Sequence, residues 1–155
     1  MTTIIKEKNR WLIISLVNLV IVAILGTVLR TKILFSIPWI DFKFLLHAHS
    51  HFAFGGWITL ALLSMMVYEI LPAAKSNKPI YKRLLLGVLI NALGMLLSFP
   101  FECYAFFSIL FSTLFIFVTY AFSWIFIRDL LMTNRNKSVR ILCIMALLSL
   151  TFSSV

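Results

Sequence analysis

Between Trp11 and Leu29 the chain runs for 19 residues without a charge. A bilayer's hydrocarbon core is about 30 Å thick and takes roughly 20 helical residues to cross. That run is therefore a membrane span in length and polarity. Four more follow. Leu45 to Leu71 carries histidines at its start and Glu69 near its end. Leu84 to Phe101 is the third, and Tyr104 to Ile127, rich in phenylalanine, is the fourth. Ile141 to Val155 is a fifth run of only 15 residues. None alternates apolar and polar residues as the strands of a membrane barrel do. The expected fold is all-α: one polytopic transmembrane helix bundle of four to five helices, occupying residues 1–155 as a single domain.

Composition leaves little room for a water-soluble alternative. Hydrophobic residues make up 62% of the chain and charged ones 12%, against roughly 45–50% and about 25% in soluble domains. The first run follows Lys6, Lys8 and Arg10, as a signal peptide's apolar region would. It is too long for one, and Gly26-Thr27-Val28-Leu29-Arg30 offers no small-x-small cleavage site. A retained helix is expected.

The net charge is +9, which in a soluble protein would suggest nucleic acid. Here the basic residues stand in short blocks between apolar runs, where they orient the chain and meet anionic headgroups. The partner read from this is the lipid bilayer, with no nucleic acid. Lys6, Lys8, Arg10, Lys75, Lys78, Lys82, Arg83, Arg128, Arg135, Lys137 and Arg140 fall on one side, and Arg30, Lys32 and Lys43 on the other. The positive-inside rule then puts the N-terminus in the cytoplasm and the histidine end of the second span outside. Connections are short, and Pro72, Asn77 and Pro79 break the helix between the second and third spans. Cys103 and Cys143 lie in different segments, so no disulfide is expected. The last run ends without a cap or tail and reads as a helix cut short, so the chain is expected to be the N-terminal part of something longer.

All three histidines lie in one stretch, Leu46-His47-Ala48-His49-Ser50-His51-Phe52-Ala53-Phe54-Gly55-Gly56-Trp57. Ionisable groups at membrane depth are costly and point to function. At 3.6 residues per turn, His47 and His51 share a helix face while His49 points the other way. One helix can thus aim His47 and His51 at one centre and His49 at another, but not all three at one ion. Neutral imidazole binds iron, copper and zinc. Ser50, Glu102 and Tyr104 stand at the same end, and Gly55-Gly56 forms a flat strip suited to close approach by a helix or a macrocycle. The plainer alternative is that the histidines snorkel into the interface.

From His47-Ala48-His49-Ser50-His51 through Gly56-Trp57-Ile58 to Tyr68-Glu69-Ile70-Leu71-Pro72, the chain resembles the second helix of subunit I of the heme-copper oxidases, in the nitric oxide reductase and cbb3-like branches. Met95-Leu96-Leu97-Ser98-Phe99-Pro100-Phe101 extends the likeness. The resemblance implies an axial ligand of a b-type heme at the outer end of this helix, with His49 the first choice and His47 the second, and a role in respiratory electron transfer in a bacterial inner membrane. His51 stands where the pattern has asparagine. The family's second axial histidine and its copper ligands have no counterpart, since no histidine lies outside this helix. Copper is therefore not expected within this chain. A heme would need further helices, another chain of an oxidase-like complex, or a weaker ligand such as Met65, Met66 or Met95.

Two other readings remain open. One is a metal-binding membrane protein or transporter with His47, His51 and Glu102 holding a transition metal at the outer face. The other is a structural bundle without cofactor. Asn18 and Asn91, each mid-span, read as interhelical hydrogen-bonding residues. The phenylalanines from Phe106 to Phe126 read as packing and lipid-facing material. Trp11 and Trp39 fall at interfaces. No nucleotide-binding glycine loop, nucleophile elbow, catalytic carboxylate pair or zinc-hydrolase motif is present.

Overall fold

A computed structural model describes residues 2–102 and 105–153, with the side chains of all but Thr2, Thr3, Glu102 and Ser153. The regular structure is entirely helical among the described residues. Helix α1 is Thr2–Leu34 and α2 is Phe42–Ile70. A single turn, α3, is Ala73–Ser76. Then come α4, Pro79–Glu102, α5, Phe106–Leu131, and α6, Lys137–Ser153. Four of them contain segments long and apolar enough to cross a bilayer: Ile4–Leu34, Phe42–Ile70, Pro79–Phe101 and Phe106–Leu131. This is a multi-pass membrane protein.

The helix limits follow local chemistry. Asp41 caps α2, its carboxylate accepting the Phe44 amide at 3.0 Å. Leu71 is extended, with ψ 147°, as the residue before Pro72 should be, and α2 stops there. Pro79 opens α4 at the first-turn position, where a missing N–H costs nothing. The helices overrun the apolar runs. α1 begins nine residues before Trp11, and α4 begins at Pro79 rather than Leu84, because the polar flanks contain no breaker and stay helical in water. The expected fifth span, Ile141 to Val155, is seen as a helix from Lys137 to Ser153 of 17 residues. Its described length is about 25 Å, short of a full crossing.

Consecutive long helices pack antiparallel, α1 on α2, α2 on α4, α4 on α5 and α5 on α6. Lipid as the outer solvent inverts the usual pattern. On α1, Ser15 and Asn18 are buried while Ile13, Leu16, Val17, Val20 and Ile24 are exposed. The α4–α5 contact is a glycine seam: Phe111 lies over Gly94 and Val118 over Gly87, with no room for a Cβ on Gly94. The phenylalanines divide their work. Phe122 and Phe126 are buried and stacked, ring centroids 5.7 Å apart, while Phe106, Phe107 and Phe117 face outward. Trp39 is exposed as an interface residue should be, but Trp11 turns into the core.

Two polar expectations come out differently. Asn18 donates to the buried Gly56 carbonyl of α2 at 2.6 Å, an interhelical bond as expected. Asn91 instead donates to the Gly87 carbonyl, one turn back on its own helix, at 2.8 Å.

Candidate functional site

The histidine-bearing helix is not a regular α-helix throughout. Phe42–Phe52 is α-helical, Ala53–Thr59 widens into π-helix, Leu60–Met65 returns to α, and Met66–Ile70 is π again. Such segments are rare and concentrate at functional sites. The first begins directly after His51. Its Gly56 carbonyl takes the Asn18 bond, so a neighbouring helix supplies a partner at membrane depth.

The histidines divide between two faces, as their spacing predicts. His49 lies against α1. A Cβ on Gly26 would stand 3.2 Å from His49 Cε1, so the glycine is what seats the imidazole. His49 Nδ1 is buried and has no hydrogen-bond partner. His47 and His51 face α4. The His51 ring stacks on Phe99 with centroids 4.7 Å apart, and His47 stands 6.2 Å from the same ring. His47 and His51 are 6.5 Å apart, ring to ring. Ser50 donates to the backbone carbonyls of Leu46 and His47 on its own helix.

A cleft of about 360 Å³ opens beside His51, lined also by Gly55, Thr59, Met95, Ser112 and Phe115. His47 and His49 are not among its lining residues. The glycine strip is occupied by protein: a Cβ on Gly55 would meet Phe115 at 3.0 Å and the Met95 methyl at 3.5 Å. The strip therefore admits rings and Asn18 rather than an open macrocycle slot.

No three of His, Cys, Asp and Glu converge on a metal-binding arrangement among the described residues. Of the expected His47–His51–Glu102 centre, the Glu102 side chain lies outside the described residues, as do Cys103 and Tyr104. Cys143 is a free, buried thiol on α6. Of the three methionines named as weaker ligands, Met95 alone reaches the His51 cleft.

Sequence reasoning missed a polar cluster at the opposite end. Asp129, buried near the end of α5, receives Lys78 Nζ on both oxygens at 2.7 Å and the Tyr81 hydroxyl at 2.8 Å. Lys75 Nζ donates to the Asp129 carbonyl and to Thr133 Oγ1, satisfying the carbonyl end of α5. Arg135 does the same for the Ile70 carbonyl at the end of α2. Glu7 and Glu69 pair with Lys82 and Lys8 across helices. The available signal was Asp129 itself, the sole acid in the fourth apolar helix.

Compared with known protein families, curated proteins and solved structures, the chain matches none.

Proposed function

We propose that this chain is a heme-holding membrane protein, built like the N-terminal part of subunit I of the heme-copper oxidases and serving respiratory electron transfer. The observation that carries the reading is His49: an imidazole seated over Gly26, with a buried nitrogen that has no partner. An unsatisfied buried nitrogen costs about 1–3 kcal/mol. A ligated imidazole uses both nitrogens, one on the metal and one on an outer hydrogen-bond partner. The donor fits a b-type heme iron, which takes a neutral imidazole in apolar surroundings. His47, on the other face beside Phe99, is the second candidate.

Bound there, the heme supplies a one-electron carrier whose potential follows its axial ligands and burial. The protein's share is to fix the ring and keep water away. Gly26 provides clearance and α1 covers Nδ1. All three histidines lie on α2, so any second protein ligand for a heme held by His49 would have to come from a thioether other than that of Met95, which lies at the His51 cleft, or from a helix of an oxidase-like partner. In this reading the protein sits in a bacterial inner membrane with its N-terminus in the cytoplasm, as the distribution of basic residues favours.

Expression with ample heme, purification in mild detergent and a reduced-minus-oxidised spectrum test the proposal. Expected are b-type bands, lost in His49→Ala and retained in His51→Ala. Heme-free protein, or bands equally strong in His49→Ala and His47→Ala, overturns it.

A further inference from the structure

The resemblance argued against copper because the family's copper ligands have no counterpart here; from a different donor pair, we infer that the cleft between α2, α4 and α5 is a soft-metal site, which takes a cuprous ion between the imidazole of His51 and the thioether of Met95. Three observations converge on it. His51 lines the cleft, and its ring contacts are with Phe99 and His47. Its ring is held in place by the Phe99 stack at 4.7 Å. Met95, only 2% exposed, lines the same cleft from α4. The two residues come from facing helices, so the pair exists only in the folded bundle.

The sulfur is open to a metal. The Ser112 hydroxyl has one proton and two acceptors within reach, the Ser108 carbonyl at 2.8 Å and Met95 Sδ at 3.4 Å. The carbonyl is the nearer and stronger acceptor, so the thioether lone pairs are left largely unused. Gly55 lets the Met95 methyl lie 3.5 Å from where its Cβ would be, which keeps the Met95 side chain against α2.

The donor set selects the ion. Thioether sulfur is a soft ligand that favours monovalent copper, and imidazole binds copper readily. Zinc takes four ligands from Cys, His and carboxylate, and no three such residues converge among the described ones. A monovalent ion with a filled d shell is content with two or three ligands and no carboxylate. The low charge also suits an apolar cleft better than a divalent ion does. Binding here requires no electron transfer and no proton beyond the one absent from a neutral imidazole.

The site is separate from His49, so it stands or falls independently of the heme reading. The test uses the full chain in detergent with Cys103 and Cys143 both replaced by alanine, which removes competing thiols. Cuprous ion is titrated against a chromogenic chelator, with zinc as the parallel arm. One equivalent of cuprous ion should be withheld from the chelator. His51→Ala and Met95→Leu should each weaken binding by at least the roughly 10- to 100-fold that loss of even an outer partner costs a metal site. Met95→Leu conserves volume, so folding is kept. His49→Ala should leave binding unchanged, and X-ray absorption should show a sulfur neighbour that disappears in Met95→Leu. No retention of cuprous ion, tighter binding of zinc, or affinity unaltered in Met95→Leu overturns the inference.

Discussion

Asp129 carries a negative charge into a helix whose other side chains, Arg128 apart, are apolar or hydroxyl-bearing, and its neighbours compensate that charge. Its side chain is 7% exposed while that of Lys78 is 43% exposed, so the carboxylate is the partner that depends on the pair. Removing it frees Lys78 to return to water, which keeps the loss below the 3–5 kcal/mol of a fully buried pair. Asp129→Ala should therefore destabilise by about 1–3 kcal/mol, and Tyr81→Phe by about 1 kcal/mol, read as lowered midpoints of thermal or detergent unfolding. Unchanged stability in Asp129→Ala would mean that the cluster holds nothing together. The histidine faces were legible because helix periodicity alone decides them. The Asp129 cluster was not, because its partners come from a connection some fifty residues away in the chain, and their meeting depends on how α3 folds back over α5.

At the scale of the element, the spans themselves were readable from apolar length, and their ends were not. Apolar length reports where lipid begins, whereas helix ends are set by caps and prolines such as Asp41, Pro72 and Pro79. The widened turns of α2 were not readable either. The first of them takes a tertiary contact, the bond from Asn18 to the Gly56 carbonyl. Interhelical bonds of this kind average about 0.6 kcal/mol and reach about 1.7. Asn18→Leu should fall toward the upper part of that range, because it also strands a carbonyl at membrane depth. Asn91→Leu should cost less, since its bond stays within one turn of its own helix. Unfolding midpoints of the two variants in the same detergent check the order. An Asn91→Leu variant that is the less stable of the two would place the interhelical anchor elsewhere.

For the whole molecule, the decisive asymmetry is between its two ends. At the end holding the start of α1, the end of α2 and the end of α5, eleven basic side chains face three acids. Each of those acids is already paired, Glu7 with Lys82, Glu69 with Lys8 and Asp129 with Lys78. The histidine end holds only three basic residues, Arg30, Lys32 and Lys43, against the two acids Asp41 and Glu102, so the uncompensated positive charge lies mainly at the first end. Positive loops resist translocation, and the bias counts most close to the span ends. Alkaline phosphatase fused after Ser76 should accordingly be inactive, and fused after Ile37 active. Lys6, Lys8 and Arg10 supply only part of the asymmetry. Their joint replacement by glutamine should therefore leave the orientation in place, because the α3 and α5–α6 connections still carry eight basic residues. Activity after Ser76 in the unaltered chain would invert the bundle. It would also turn the histidine end toward the cytoplasm, and a cuprous ion would then reach the His51 cleft from the reducing side of the membrane.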